Sequence, residues 1–259
     1  FDLASQALTA GKHVLVEKPM TDSTASALEL VRLADEQGKV LMVDHTFVYS
    51  PAVQMLKQIV DSGELGDILY YDSVRINLGL FQHDINVIWD LAPHDISIMN
   101  FAIGKQPRKV WAHGSSHVGN HLENVAYVTL EFPDDFLAHF HVNWLAPVKI
   151  RQTLIGGSRK MVVYNDMEPT EKIKIYDRGI DLLPQEGIYH TLVQYRTGDI
   201  SIPHLDNREP LKLELEHFVQ CITDGERPWT DSTAGMQVVK VLEGAQSSIR
   251  QNGAMVEFD

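Results

Sequence analysis

Two short stretches hold side chains whose type and spacing suit proton and charge chemistry. The first is Glu17-Lys18-Pro19, a charged pair and a proline set directly after the apolar run Val14-Leu15-Val16. Open α/β sheets bind ligands just beyond the carboxyl ends of their strands, so a lysine there has a place to act. Pro19 fixes its own φ and biases Lys18 toward an extended backbone, which sets the lysine's direction locally. A solvated lysine at a strand end is the plainer alternative.

The second stretch is Trp89-Asp90-Leu91-Ala92-Pro93-His94-Asp95. Asp90 and His94 stand at i and i+4 and share a face if the segment is helical. Histidine exchanges protons near neutral pH, and a nearby carboxylate can orient it or support its charged form. The neighbours Ile88, Trp89, Leu91 and Ile96 are apolar, which argues against a purely solubilising pair. An exposed i, i+4 pair near a helix end is the alternative. Asp95 is a competing carboxylate whose side chain is expected to point elsewhere on the helix.

These residues need elements to hold them. Phe1 to Lys12 reads as an amphipathic helix closed by Gly11. A short apolar strand follows, then a helix capped by Asp22 or Ser23 and ended by Gly38, with Ala27, Leu28, Val31 and Ala34 at helical spacing. Lys39 to Thr46 reads as a second apolar strand. Helices alternating with continuous apolar strands indicate a parallel sheet covered on both faces. Next come a helix with Pro51 in its first turn, a long strand from Ile68, and the helix carrying Asp90 and His94 with a proline inside. From 108 to about 180 apolar and polar residues alternate between turns rich in Pro, Asp and Gly, the pattern of a mostly antiparallel sheet buried on one face. Residues 181–209 read as an irregular loop, and two helices finish the chain. The expected architecture is α/β: the C-terminal part of a Rossmann-like parallel-sheet domain over 1–46, then an α+β domain over 47–259 with a large, mostly antiparallel open sheet.

Composition narrows the function. The 259 residues suffice for one large or two modest domains. Lys+Arg 22 against Asp+Glu 35 leaves a net charge of −13. That argues against nucleic-acid binding and leaves no basic footprint for a membrane surface. A local lysine or arginine can still hold an anionic substrate. The single cysteine, Cys221, excludes an intrachain disulfide and suits a reducing compartment, so a cytoplasmic location is expected. No apolar run approaches the ~18 residues that span a bilayer. The sequence opens without Met, already in helical pattern, and is expected to start inside a longer protein.

A strand ending in Glu-Lys-Pro, followed after one long strand by Asp-x-x-x-His on a helix, resembles the glucose–fructose oxidoreductase / inositol dehydrogenase / MocA family. The resemblance runs over essentially the whole chain, including the closing Leu213-Glu214-Leu215-Glu216-His217-Phe218 helix. Either motif alone is weak, and the two in this order are fairly specific. The resemblance implies an NAD- or NADP-dependent oxidoreductase acting on a secondary alcohol or ketone of a sugar, nucleotide-sugar or cyclic polyol. Lys18 then matches the active-site lysine, which hydrogen-bonds the reacting oxygen and stabilises negative charge developing on it. His94 matches the catalytic acid/base, and Asp90 its acidic partner, which binds a substrate hydroxyl or assists proton transfer. Glu17, Lys18 and Pro19 border the cofactor near its nicotinamide ribose. His45 and Thr46 line the nicotinamide side. The family's G-x-G-x-x-G phosphate turn is absent from this sequence, so the resemblance implies that about half of the nucleotide domain lies outside it. Val48 stands where many members carry an arginine. The family's sheets also pair face to face, which implies a homodimer or homotetramer through the C-terminal sheet.

Other residues carry weaker readings. Arg75 and Asn77 share a strand face before the Asp90–His94 helix and are candidates for substrate contact, with a structural pair as the alternative. His113, His117 and His121 recur every four residues, but the glycines between them indicate strand and loop, and no carboxylate or cysteine completes a metal set. No metal is expected, and His117 is a candidate substrate contact. His139 and His141 share a strand face and read as sheet surface or subunit contact. Trp144 borders the site or simply packs. Residues 181–209 and the strand around 75–83 are the expected specificity elements. Two further function classes stay open. An NAD-dependent glycoside hydrolase would release free sugar without net NADH, and a non-catalytic ligand-binding relative would show no nucleotide affinity.

Overall fold

The computed structural model describes residues 1–79, 81–118, 121–183 and 192–258. The first layer is small. Helix α1 (Asp2–Thr9) leads through Gly11, at φ +72°, into strand β1 (Val14–Val16). Helix α2 (Thr24–Gln37) starts on Ser23, whose side chain accepts from the Ser26 amide, and ends on Gly38 in the left-handed conformation. Of the two expected caps, Ser23 is the one used. Strand β2 (Leu41–Val43) lies parallel to β1, with Val14 opposite Leu41 and Val16 opposite Val43. The second strand is shorter than its apolar run because Thr46–Tyr49 winds into a 3₁₀ turn.

Helix α3 (Pro51–Asp61) takes Pro51 at its first turn, where the missing amide is no loss, and buries Ala52, Val53, Leu56 and Ile59. Strand β3 (Ile68–Leu78) follows, then α4 (Val87–Ile103), started by the Asn86 side chain accepting from the Ile88 and Trp89 amides. Strands β4 (Lys109–Ser115), β5 (Val125–Glu131), β6 (Leu137–Asn143), β7 (Leu145–Gly157), β8 (Met161–Asn165) and β9 (Ile173–Tyr176) succeed one another. Beyond them lie β10 (Gly179–Leu183), β11 (Leu192–Arg196) and β12 (Ile200–Ser201), then α5 (Pro210–Asp224), α6 (Ser232–Arg250) and β13 (Val256–Glu257).

The large sheet has nine strands in the order β12-β9-β8-β7-β3-β6-β5-β4-β13. Only β3 and β6 run parallel; the other pairs are antiparallel. The expected mostly antiparallel sheet is therefore present. Alternation along the central strands sends Tyr71, Ala126, Val128, Leu130, Ala138, Phe140, Val142 and Ile155 into a core under α3, α4 and α6. The opposite face carries Tyr70, Tyr127, Leu137 and Ile150, all exposed. Val239 of α6 also sits in the small core between α1, α2, β1 and β2, so the last helix joins both sheets.

The expected irregular loop over 181–209 is corrected in part. Strands β10 and β11 pair as an antiparallel hairpin, and β12 extends the large sheet beside β9. The two hairpin strands are only five residues each, and eight residues separate them, so no two-residue turn signal marks their pairing. Residues 184–191, which the specificity expectation includes, lie outside the described residues. No helix among the described residues is long and apolar enough to cross a membrane.

Candidate active site

The carboxyl ends of β1 and β2 open toward the first turns of α4. Lys18 leaves the end of β1 and donates from Nζ to the main-chain oxygen of Asp90 at 2.9 Å. Its Nζ also lies 3.5 Å from Asp90 Oδ1, with both side chains partly exposed. The Lys18–Pro19 peptide bond is cis. Pro93 sits inside α4 and has no amide for the Trp89 carbonyl one turn earlier, next to the Asp90 carbonyl that receives the lysine.

Asp90 is fixed from its other side by Trp144, whose indole Nε1 donates to Oδ2 at 3.0 Å. Trp144 is buried at the β6–β7 junction. Its ring fits there because position 79 is glycine: a Cβ on Gly79 would overlap the indole. Trp144 thus does more than pack, since it orients the carboxylate that holds Lys18.

His94 lies one turn along α4 from Asp90, as its spacing predicts. The expected carboxylate support is not what the structure shows. The Asp90 carboxylate is turned to Lys18 and Trp144, and the groups acting on His94 are cationic or neutral. Burial, then Arg75, Lys18, His45 and Arg151, hold the imidazole well below its usual pKa, so it is neutral at pH 7. Its Nδ1 is buried and has no hydrogen-bond partner among the described residues. Phe47 meets the imidazole edge-on at 5.1 Å between ring centres. The same phenyl ring carries the Arg75 guanidinium at 4.6 Å and that of Arg151 at 5.4 Å.

Those two arginines stand directly opposite each other across β3 and β7. Like charges so placed repel, and each is answered by its own carboxylate. Arg75 Nε and Nη2 donate to Asp95 at 2.6 and 3.0 Å in a buried bidentate pair. Arg151 Nη1 donates to Asp166 at 3.2 Å. The Asp95 side chain does leave the Asp90–His94 face, as expected, and its destination is Arg75. Arg75 thus has a structural partner in Asp95 and its side chain is only 3% exposed, while its Nη1 is buried without a partner among the described residues.

The remaining candidates fall at different distances from this group. Glu17 and Pro19 flank Lys18 at the end of β1. Asn77 lies on the Arg75 face inside a register break between Ile76 and Leu78. His117 is exposed past the end of β4, and its main-chain amide donates to Asn124 Oδ1. No hydrogen bond or ion pair among the described residues ties it to Lys18, Asp90 or His94. His139 accepts or donates with Thr129 Oγ1 at 3.0 Å, and His141 stacks on Tyr127 at 4.5 Å on the bare sheet face. No group of three His, Cys, Asp or Glu among the described residues is placed to hold a metal ion. His45 is only 1% exposed, and neither ring nitrogen has a partner among the described residues. The ring is enclosed where the end of β2 turns into the 3₁₀ helix. Burial first, offset by Asp44 and reinforced by Lys18, takes its pKa down to about 4.

Sequence reasoning missed Glu214 altogether. This α5 carboxyl is fully buried, with Asp44 and Thr46 as its polar neighbours. Burial and the neighbouring Asp44 push its pKa up to about 8, so it is largely neutral at pH 7. An acidic residue within the apolar stretch Leu213-Glu214-Leu215 was the available signal.

The site fits the reactive end of a nicotinamide cofactor. An ammonium and a neutral imidazole with an unpartnered nitrogen stand together at the carboxyl ends of two parallel strands, where such sheets receive nucleotides. Comparison with known proteins agrees. A family model described as "Oxidoreductase family, NAD-binding Rossmann fold" matches residues 1–45, and one described as "GFO/IDH/MocA C-terminal domain" matches residues 53–163. UDP-N-acetylglucosamine 3-dehydrogenase from Acidithiobacillus ferrooxidans is 28% identical over 92% of this chain and 72% of its own length. The scyllo-inositol 2-dehydrogenase (NAD(+)) of Bacillus subtilis is 24% identical over 100% of this chain and 74% of its own. A solved structure of the Acidithiobacillus enzyme superposes with a TM-score of 0.79 at 25% identity, covering 96% of this chain and 75% of that one. With the two family models together matching residues 1–45 and 53–163, more than half of its residues, the chain belongs to the GFO/IDH/MocA family of oxidoreductases.

Proposed function

We propose that Lys18, Asp90 and His94 form the acid–base group of an NAD(P)-dependent dehydrogenase. Its substrate is a secondary alcohol or ketone of a sugar, nucleotide-sugar or cyclic polyol. The observation that carries this reading is the pairing of a fixed ammonium with a neutral imidazole at one cleft. The substrate class follows the printed activities of the relatives, a nucleotide-sugar 3-dehydrogenase and an inositol 2-dehydrogenase.

The bound cofactor supplies a nicotinamide ring that exchanges hydride with the substrate carbon. This chain's residues supply the rest. Glu17, Lys18 and Pro19 border the nicotinamide end, with His45 behind them. Lys18 Nζ stabilises negative charge developing on the substrate oxygen. His94, neutral at pH 7, takes the hydroxyl proton during oxidation and returns it during reduction. Asp90, held by Trp144, keeps Lys18 in place and is available to a substrate hydroxyl. Arg75 acts from behind by fixing the Phe47 ring against His94, and Asn77 and His117 are the outer candidates for substrate contact. The reading is tested by following nicotinamide reduction with sugars, polyols and nucleotide-sugars. No turnover with any of them, or release of free sugar without net NADH, defeats it.

The bare face of the nine-stranded sheet extends the proposal to a homodimer or homotetramer. Tyr127 is 45% and Leu137 47% exposed at its centre, flanked by Tyr70 and Ile150. Large exposed apolar faces of this kind mark interaction sites. Sedimentation of the wild-type protein and of Tyr127→Lys separates the outcomes: an oligomer that the substitution dissociates supports this face, and a wild-type monomer rejects it.

A further inference from the structure

Behind His94 lies a cavity of about 190 Å³, between the 3₁₀ turn, α4 and the start of α6. His45, Ser97, Asn100, Thr230 and Gln237 supply its polar lining. Both nitrogens of His45, and both the oxygen and nitrogen of the Asn100 amide, are buried without a partner among the described residues. Leaving such atoms unpaired costs about 1–3 kcal/mol each, so native proteins satisfy them with ordered water. One water needs only roughly 10–15 Å³ by this measure, so several fit.

The cavity runs along the α4 face that carries His94 one turn earlier. His94, Ser97 and Phe101 follow one another at i, i+3 and i+7 on α4, and the latter two line the cavity. Ser97 Oγ donates to the His94 carbonyl at 2.8 Å. His45 stands close enough for its charge to act on His94. The far wall includes Trp229, which is 47% exposed, and the partly exposed Gln237, so the cavity reaches solvent.

We propose that this cavity holds a water chain that carries the proton between His94 and solvent, with His45 as the relay. The inference rests on the dehydrogenase reading above. Oxidation of an alcohol to a ketone gives a hydride to the cofactor and one proton to His94, and that proton must leave before the next turnover. His94 Nδ1 is buried and has no partner among the described residues. From there the proton passes to water or to one nitrogen of His45, and His45 releases one from its other nitrogen. No net charge remains on either ring, but each is left as its other tautomer, and a ring flip or a water-mediated return transfer restores the starting N–H before the next turnover. The charged groups facing His45 are Asp44 and Lys18; those facing His94 are Arg75, Lys18 and Arg151. Burial first, with these charges behind it, keeps both rings neutral at rest, which suits transfer rather than storage.

Two measurements test the relay, both on the full protein. A high-resolution crystal structure is expected to show ordered waters bonded to the His45 ring and the Asn100 amide. A dry cavity overturns the proposal whether or not the protein is active. His45→Phe and Asn100→Leu are then compared with wild type in ordinary and heavy water. Each is expected to lower kcat about tenfold, part of the roughly 100- to 10,000-fold that acid–base groups contribute. KM should change little, the solvent isotope effect should grow, and added imidazole should restore part of the rate for His45→Phe. A rate loss with an unchanged isotope effect and no rescue marks a merely structural role and overturns the proposal, as does an unchanged rate. A wild-type protein that oxidises no alcohol defeats the parent reading instead, and the crystal structure still judges the cavity.

Discussion

Lys18 is held twice by Asp90: its Nζ donates to the Asp90 carbonyl oxygen at 2.9 Å and lies 3.5 Å from the Asp90 carboxylate. The contact ties the end of β1 to α4 across a long stretch of chain. Both side chains remain partly exposed, so the pair adds little to stability, about 0–1 kcal/mol. Its value is positional. Lys18→Met is therefore expected to leave thermal stability nearly unchanged and to lower kcat by about 100- to 1,000-fold, the usual loss for a donor to developing oxyanion charge. Thermal melts beside steady-state kinetics check both halves.

The His94 ring is predicted to work as a base well into acid. Its pKa is pushed well below 6.5 by burial and then by Arg75, Lys18, His45 and Arg151. The oxidation rate should hold steady as pH falls through 6.5, where an ordinary histidine would lose half its base form. A pH–kcat profile with its acid limb at 6.5 or above would reject this environment for the ring.

The Arg75–Asp95 pair is buried, with side chains 3% and 5% exposed. Asp95→Ala leaves a buried, uncompensated guanidinium and is expected to cost about 3–5 kcal/mol in denaturant unfolding. Arg75→Met with Asp95→Leu removes both charges and should recover most of that loss. If instead Arg75 binds substrate directly, Arg75→Met raises KM without destabilising the fold.

Glu214 gives stability a pH dependence. Its folded pKa is raised to about 8, above its ordinary 4.5. Below pH 4.5 the carboxyl is protonated in both states. From there to about pH 8 the unfolded chain releases a proton that the folded chain keeps, so stability falls as pH rises, by up to about 5 kcal/mol. Glu214→Gln should flatten this slope in urea melts taken across that window. An equal slope in the variant would mean that the carboxyl is already ionised in the fold.

Local signals in the sequence located much of this site. The apolar run before Glu17-Lys18-Pro19, the Asp90–His94 spacing, and the caps at Ser23, Gly38 and Pro51 are each contained within a few residues, and each appears in the structure. What escaped was long-range. The Arg75–Asp95 pair joins a strand to a helix, and the Trp144 bond to Asp90 joins the β6–β7 junction to that helix. Neither is implied by periodicity. The same holds for β10 and β11, whose pairing skips the segment between them, and for the turn of Asp90 away from His94, which depends on where Lys18 arrives. The burial of His45 and Glu214 depends on how the 3₁₀ turn and α5 dock, which no local pattern records.

The most direct test of the central claim is a paired measurement on wild type and His94→Ala. Cofactor affinity is taken from nicotinamide fluorescence on titrating NADH and NADPH, and turnover from nicotinamide reduction with the best sugar, polyol or nucleotide-sugar substrate. The account predicts that His94→Ala binds cofactor as wild type does and loses nearly all turnover. Equal losses in binding and turnover, or full turnover without the imidazole, would contradict it.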